Sequence, residues 1–341
     1  MSKTVKDFGE AGVIALAKKT FPDPPRTLVG IGDDAAVLPP GKKPWVVTTD
    51  TQVEGTHFHR RWTSAFDLGH KSLAVNLSDL AAMGAKPYAG VLSLILPGDL
   101  KVPALGDLLK GMASLAATEP LHLVGGNVAQ GSELSLTWTV WGHPTGKPWF
   151  RARMKTGDVV FLTGTPGLSH LGWKMFEADQ PGASAKTGFA KKTRMGKGPL
   201  GACRHRFLRP TPRTGLISSL RRFEPTAVMD TSDGLSKDLP AFAKGSRLEL
   251  DADALFGYSS VQTVAGQLGL SSEAVILGGG EDYELLVTVS PAKAKQLAKS
   301  SHLGSVPIRQ IGIVTPGKPG LFLRRNQKLA PFPKTPLFRH F

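Results

Sequence analysis

The chain has 341 residues, of which 42 are Lys or Arg and 27 are Asp or Glu, so its formal net charge is +15. Its 41% hydrophobic and 20% charged residues exclude a disordered or collagen-like protein, and its length suggests about two domains. The single cysteine, Cys203, excludes a disulfide framework and a multi-cysteine zinc site. Because the first ten residues lack an apolar run and no apolar stretch approaches the ~20 residues that cross a bilayer, we expect a cytoplasmic protein without membrane association.

The predicted elements mix helices and strands in both halves of the chain. The first half predicts an amphipathic helix over 3–20, a strand over 46–49 that stops at Asp50, a helix over 64–83 that begins with a Ser64–Asp67 capping box, and strands over 90–96 and 134–140. The second half predicts strands over 159–163, 227–229 and 275–277, a helix over 235–244 and a polar loop over 179–201. A Pro-, Gly- and base-rich segment over 145–156 indicates the boundary. We predict an α+β / α/β protein with domains over 1–145 and 152–341.

The positive charge admits three explanations. Basic residues are scattered, with modest concentrations only over 186–213 and at Arg324, Arg325 and Lys328. No zinc finger, RNA-binding aromatic signature or basic region before a heptad repeat accompanies them. A solvated basic surface therefore comes first, attraction of a polyanionic small substrate second, and nucleic-acid binding third.

The acidic residues gather in short groups beside glycines and after apolar segments. The groups contain Asp33 and Asp34, Asp50, Asp79, Asp230 and Asp233, and Glu281, Asp282 and Glu284. Carboxylates repel one another at close range unless a cation neutralises them, and Mg²⁺ prefers a few carboxylates together with waters and substrate phosphates. A single Asp beside Gly is common in ordinary turns, but five such groups favour a magnesium-dependent site for a phosphorylated ligand.

Six motifs, in this order, resemble those of the thiamine-monophosphate kinase family, part of the superfamily of ATP-binding enzymes similar to aminoimidazole ribonucleotide synthetase. They are GIGDDAAVL (30–38), TTDTQVEGTHF (48–58), KSLAVNLSDLAAMGAKP (71–87), RPTPR (209–213), MDTSDGLSKDL (229–239) and GGGEDYELL (278–286). The resemblance spans nearly the whole chain. It implies an N-terminal α+β domain that pairs with its twin in a homodimer, a C-terminal α/β domain, and ATP with several Mg²⁺ ions in the cleft between them. The implied reaction is ATP-dependent phosphorylation of thiamine monophosphate to thiamine diphosphate, a step of thiamine biosynthesis.

The resemblance also assigns roles to individual residues. The implied metal ligands are Asp34, Thr48, Thr49, Asp50, Asp79, Asp230 and Asp233. The implied ATP-binding residues are Gly126, Asn127, Arg151 and Ser232, and thiamine monophosphate would contact His57, Glu281 and Phe338. No covalent nucleophile or general base is expected, because the acceptor phosphate is already ionised near pH 7. The alternative for His57 is a packed histidine beside Phe58.

One departure from the family pattern concerns Asn127. The family carries Gly-Gly-Asp-Thr where this chain has Gly125-Gly126-Asn127-Val128. The family's Asp binds magnesium, whereas Asn127 offers a neutral carbonyl oxygen, which predicts about 10- to 100-fold weaker binding of one ion.

Several alternatives stay open. One is another ATP-dependent enzyme of the superfamily with a different acceptor; a selenophosphate-forming relative would need a reactive thiol, for which Cys203 is the only candidate. Another is a weakly active or non-catalytic relative that binds nucleotide or nucleic acid without turnover.

Overall fold

A computed structural model describes residues 3–21, 44–151, 153–179 and 196–333. Their backbone forms two compact units. Unit 1 comprises the described residues up to Leu80 together with Ala85–Pro144, and unit 2 comprises Ala81–Gly84 and the described residues from Thr145 onward. None of the helices that the described ranges contain combines the length and apolar character needed to cross a bilayer.

Unit 1 is built on a four-stranded sheet with the order β1-β4-β2-β3. Its elements are α1 (Val5–Thr20), β1 (Val46–Val53), α2 (Ala65–Ala82, whose last two residues belong to unit 2), β2 (Ala85–Pro97), α3 (Val102–Thr118), β3 (His122–Gly131) and β4 (Ser135–Pro144). Ser64 caps α2 as predicted, since its Oγ accepts a hydrogen bond from the Asp67 amide at 3.1 Å. Antiparallel β1–β4 and β4–β2 pairs and a parallel β2–β3 pair complete the sheet.

The helices of unit 1 pack on one face of this sheet. Alternate side chains of β2 and β4, such as Leu94 and Trp138, join residues of all three helices in one buried core. The opposite face, which we call the open face, exposes Val47 and Ile95 with relative accessibilities of 56% and 41%.

Unit 2 is built on an eight-stranded mixed sheet with the path β12-β11-β7-β10-β5-β8-β6, to which β9 adds beside β10. Its strands are β5 (Val159–Thr163), β6 (Ala227–Thr231), β7 (Arg247–Asp251), β8 (Glu284–Val289), β9 (His302–Leu303), β10 (Val306–Thr315), β11 (Gly320–Arg325) and β12 (Lys328–Pro331). Its helices are α4 (Leu168–Asp179), α5 (Gly198–Leu208), a 3-10 turn (Arg213–Leu216), α6 (Ile217–Arg221), α7 (Leu235–Phe242), α8 (Ala252–Phe256), α9 (Ser259–Gln267), α10 (Ser272–Gly278) and α11 (Pro291–Leu297). Apolar side chains fill a core on each face of the sheet, which makes the unit three-layered.

Three predicted elements differ from the structure. The polar loop predicted over 179–201 ends earlier, because α5 begins at Gly198. The predicted strand over 275–277 is wrong: these residues are the end of α10, which begins where Ser271 accepts a hydrogen bond from the Ala274 amide. A three-residue apolar run fits a buried helical turn as well as a strand, so periodicity could not separate the two. The strand predicted to stop at Asp50 instead continues to Val53, because β4 supplies backbone partners along its whole length.

Candidate active site

The first group of oxygen donors lies in unit 1. Side chains of β1 alternate between the two faces of the sheet, and Thr48 and Asp50 point toward the helices. Thr48 Oγ1 donates a hydrogen bond to Asp79 Oδ2 on α2 at 2.5 Å. Asp50 lies two residues further along the same strand face, about 7 Å from Thr48. The fold thus joins Thr48 and Asp79 across 31 residues of sequence, with Asp50 on the same side of the sheet.

Thr49 and Asn127 lie on the open face of the same sheet. The Thr49 hydroxyl donates a hydrogen bond to a β4 carbonyl oxygen, and Asn127 belongs to β3 at the opposite edge of the sheet. Its neighbour Val128 packs on the core, so the Asn127 side chain faces away from the helices. The sheet therefore separates both side chains from the Thr48–Asp79 pair within unit 1. Any contribution of Thr49 to an ion near Asp79 would come from its backbone.

The structure says less about the other residues of the proposed nucleotide and substrate sites. The β3 backbone approaches β2 so tightly that a Cβ at Gly126 would lie 1.9 Å from the Leu92 carbonyl oxygen, which requires glycine there. Arg151 is exposed in the segment between β4 and β5. Asp34 and Phe338 lie outside the described residues, so their assignments stay predictions.

His57 is held in one orientation by the turn that follows β1. Its Nδ1 atom accepts a hydrogen bond from the Val53 amide at 3.1 Å, and its own amide donates to the Val53 carbonyl oxygen at 2.9 Å. An Arg60–Glu54 ion pair at 2.7 Å braces the same turn. Because Nδ1 is an acceptor, a neutral His57 carries its proton on Nε2, which makes Nε2 a hydrogen-bond donor.

The second group of donors lies in unit 2, where β6 ends. Asp230 is a buried residue of β6, and Ser232 and Asp233 follow in the loop before α7, which we call the β6–α7 loop (Ser232–Gly234). The Asp233 carboxylate pairs with Lys237 Nζ at 2.5 Å. Gly234 begins α7 with a φ of 96°, a left-handed conformation that suits glycine.

A second loop of unit 2 lies against the first. We call it the α10–β8 loop (Gly279–Tyr283). The Glu281 amide donates a hydrogen bond to the Ser232 carbonyl oxygen at 2.7 Å, and the Tyr283 amide donates to that of Thr231 at 2.8 Å. Glu281 and Tyr283 both have positive φ, 63° and 50°, which is uncommon for residues with a side chain and often marks a functional site. A residue proposed to bind ATP and one proposed to bind substrate are therefore neighbours.

Asp238 is a carboxylate of this region that sequence reasoning missed. It is buried in the first turn of α7, where its Oδ1 accepts a hydrogen bond from the Asp233 amide at 3.3 Å and its Oδ2 has no partner. Burial, together with the charges of Asp230 and Asp233, raises the pKa of Asp238 to about 8. Asp238 lies within the DGLSKDL segment (233–239) of a motif found in the sequence, but only the tertiary fold shows that it is buried.

We expect the Asp238→Asn variant to weaken the pH dependence of stability in metal-free protein. The pKa of Asp238 is about 8 in the folded state against 3.8 for an ordinary Asp, so the folded state binds this proton more tightly. The stabilising contribution of this group is then complete below about pH 4 and falls as the pH rises toward 8. The variant should reduce the loss of unfolding free energy between pH 5 and pH 8 by roughly 3–4 kcal/mol.

Urea denaturation at the two pH values measures this effect. The matched control is Asp253→Asn, an exposed aspartate in the first turn of α8. The expectation would be contradicted if the unfolding free energy of Asp238→Asn fell between pH 5 and pH 8 as much as that of the parent chain. An equal effect of Asp253→Asn would also contradict it. Some pH dependence of stability should remain in both variants, because burial also raises the pKa of Asp282 to about 7.

The donors in both units are chemically suited to Mg²⁺. They are hydroxyl and carboxylate oxygens, the ligands that this ion prefers, and not the thiolate and imidazole ligands of zinc or copper sites. Across the described part of the chain, no three His, Cys, Asp or Glu side chains form a complete metal-binding group. Hydroxyl and carboxylate donors are compatible with an ion that also binds phosphate and water.

Arg213 of the RPTPR motif forms a buried ion pair. Its Nε donates to Glu284 Oε2 at 2.6 Å, and its Nη2 donates to Glu284 Oε1. The same carboxylate accepts hydrogen bonds from the Thr163 hydroxyl at 2.8 Å and pairs with Arg206 at 3.1 Å. Arg213 thus stabilises the start of β8, next to the α10–β8 loop.

The structure also bears on two alternative functions. Cys203 is fully buried and burial raises its pKa to about 11, so it does not provide the reactive thiol that a selenophosphate-forming relative would need. Two basic residues near the C-terminus pair with carboxylates: Arg324 with Glu249, and Arg325 with Glu273. This pairing reduces the charge that β11 offers to a nucleic acid.

Comparison with known proteins agrees with the motifs. Residues 32–143 match the family model described as AIR synthase related protein, N-terminal domain. The thiamine-monophosphate kinase of Buchnera aphidicola subsp. Schizaphis graminum is 34% identical over 324 residues, 92% of each chain. The crystal structure of the thiamine-monophosphate kinase from Stenotrophomonas maltophilia K279a has a TM-score of 0.74 and 34% identity, covering 87% of this chain and 91% of that one.

A further solved structure, AaThiL complexed with AMPPCP and TMP, has a TM-score of 0.74 and 27% identity over 100% of both chains. The predicted two-part fold similar to aminoimidazole ribonucleotide synthetase is therefore confirmed. With a third of its residues identical to a relative over nine-tenths of both sequences, the chain belongs to the thiamine-monophosphate kinase family.

Proposed function

We propose that this chain transfers the γ-phosphoryl group of ATP to thiamine monophosphate and forms thiamine diphosphate. The observation that carries the proposal is the 34% identity to a thiamine-monophosphate kinase over 92% of both chains. The complex of AaThiL with AMPPCP and TMP supports it, because that protein binds an ATP analogue and TMP together.

We assign the metal-binding role in unit 1 to Thr48, Asp50 and Asp79, and in unit 2 to Asp230 and Asp233. Bound Mg²⁺ would supply charge neutralisation and alignment of the phosphate groups. Two polyanions have to meet in this reaction, so positioning and electrostatic stabilisation carry most of the catalysis. The Thr48–Asp79 hydrogen bond supports the assignment, since it orients a carboxylate before any ion binds.

The remaining assigned residues bind and orient the two substrates. Arg151 offers a planar guanidinium for phosphate oxygens, and Ser232 lies in the loop proposed to bind ATP. The Nε2–H of His57 is suited to donate a hydrogen bond to thiamine monophosphate. Glu281 is held beside Ser232. No side chain has to remove a proton, because the second pKa of a phosphate monoester is about 6.

The decisive experiment is an incubation with ATP, Mg²⁺ and thiamine monophosphate, with aminoimidazole ribonucleotide precursors as control acceptors. We expect thiamine diphosphate and ADP in equal amounts, and no turnover of the controls. Product formation only with a control acceptor would favour another enzyme of the superfamily. ATP binding without any product would favour the non-catalytic alternative that Asn127 raises.

We also propose that the chain forms a homodimer through the open face of unit 1. The exposed Val47 and Ile95 support this surface, together with the partly exposed Tyr88 and Trp141 on the same face. Four apolar or aromatic side chains on one sheet face are a surface that association would remove from water.

The double variant Val47→Asp/Ile95→Asp is expected to be monomeric. Two carboxylates within a sheet-to-sheet interface would be buried without partners, which disfavours association strongly. Light scattering coupled to gel filtration should show twice 36.3 kDa for the parent chain and 36.3 kDa for the variant. The control is Ile313→Asp, an equally exposed β10 residue of unit 2. A dimeric double variant, or a monomeric parent, would contradict the proposed interface.

A further inference from the structure

The β6–α7 loop and the α10–β8 loop are in backbone contact. The hydrogen bond from the Glu281 amide to the Ser232 carbonyl oxygen, 2.7 Å long, joins the middle of one loop to the start of the other. The bond from Tyr283 to Thr231 repeats the connection two residues later. The loops come from segments about 50 residues apart in the sequence, so only the fold of unit 2 brings them together.

Glycine makes this close approach possible at two positions. A Cβ at Gly280 would lie 2.6 Å from the Ser232 carbonyl oxygen, and a Cβ at Gly234 would lie 2.8 Å from the Gly279 carbonyl oxygen. Both distances are shorter than side-chain carbons tolerate. Gly280 is not among the residues with positive φ, so alanine is compatible with its backbone conformation and would act only through the contact.

The α10–β8 loop is anchored on its other side. The buried Asp282 carboxylate accepts hydrogen bonds from the Gly167 amide at 2.6 Å and the Ser169 amide at 3.2 Å, before and within the first turn of α4. The next charged residue, Glu284, is held by its buried pair with Arg213. A group inserted at Gly280 would therefore push the two loops apart at the Ser232 carbonyl oxygen.

We infer that Gly280 is a positioning residue that sets the spacing between the β6–α7 loop and the α10–β8 loop. The inference rests on the proposed function, in which Ser232 serves ATP and Glu281 serves thiamine monophosphate. The missing side chain lets the two loops hydrogen-bond to each other directly, so that they become ordered together. Donor and acceptor are then held at a fixed separation, and binding of one substrate orders the loop that binds the other.

The test is Gly280→Ala, with Gly266→Ala as the matched control. Relieving the contact requires the Cβ–oxygen distance to lengthen from 2.6 Å to at least 3.4 Å, whereas a Cβ at Gly266, in α9, would meet no atom of the described residues outside its own helix within 4 Å. Because a misplacement of about 1 Å can cost roughly 100-fold in rate, we expect Gly280→Ala to lower kcat by about 10- to 100-fold. The KM values for ATP and thiamine monophosphate should stay within about threefold, and Gly266→Ala should match the parent chain.

An unchanged kcat in Gly280→Ala would overturn the inference. It would also be overturned if kcat fell but the affinity for just one of the two substrates fell by the same factor. If the parent chain forms no thiamine diphosphate, the proposed function fails first, independently of any variant. The two failures are therefore distinguishable.

Hydrogen exchange on the parent chain tests the same inference even if the variant does not fold. Addition of AMPPCP with Mg²⁺, in the absence of thiamine monophosphate, should slow exchange in peptides that contain the Glu281 and Tyr283 amides. Thiamine monophosphate alone should slow exchange in peptides that cover 231–235, because the coupling is reciprocal. Protection confined to each ligand's own loop would contradict the inference.

Discussion

The Asp79→Ala variant is expected to lose most of its ability to form thiamine diphosphate, with kcat lower by about 100- to 1,000-fold. Asp79 presents its carboxylate from α2 and receives the Thr48 hydroxyl hydrogen bond at 2.5 Å, so it is oriented before ligands arrive. Without this carboxylate, the ion assigned to unit 1 loses a charged ligand, and the negative charge of the approaching phosphates is cancelled less well. Steady-state kinetics across a Mg²⁺ titration measures both effects.

The Mg²⁺ titration separates a metal role from a structural one. A ligand role predicts that the Mg²⁺ concentration for half-maximal rate rises in Asp79→Ala, while the melting temperature of the metal-free protein changes little. The control is Asp107→Ala, which removes an exposed carboxylate of α3 paired with Lys110. Normal turnover by Asp79→Ala would contradict the metal-binding role proposed for the donors of unit 1.

The second large effect is expected for Arg213→Ala, which should lower the free energy of unfolding by about 3–5 kcal/mol. The variant removes the two-point partner of the fully buried Glu284 carboxylate and leaves it only the Arg206 contact and the Thr163 hydroxyl, and a poorly compensated buried charge is strongly destabilising. Guanidinium denaturation monitored by circular dichroism measures the loss.

An exposed ion pair provides the control for Arg213. Arg325→Ala breaks a pair with Glu273 in which both side chains are more than two-fifths exposed, so a change of about 0–1 kcal/mol is expected. Combining Arg213→Ala with Glu284→Gln should cost less than the sum of the two single variants, since the charge that loses its two-point partner is removed. Equal effects of Arg213→Ala and Arg325→Ala would contradict the buried-pair explanation.

Local sequence signals predicted the elements that depend on local chemistry. The Ser64–Asp67 capping signal correctly predicted the start of the helix that carries Asp79, and the pattern over 159–163 correctly predicted β5. The run over 275–277 failed because three apolar residues carry no periodicity. The end of β1 was misplaced because pairing with β4, and not the Asp at position 50, decides where that strand stops.

The sequence alone determined the family, the two-part α/β composition and the presence of clustered carboxylates, because motifs and binary patterns are local properties of the chain. The tertiary structure decided which of these side chains meet. It joins Thr48 to Asp79 but turns Thr49 to the other face, adds the buried Asp238 beside Asp233, and commits Arg213 to Glu284. Sheet register and helix packing set these contacts over separations of tens of residues, and the burial that goes with them determines the charge that each group carries.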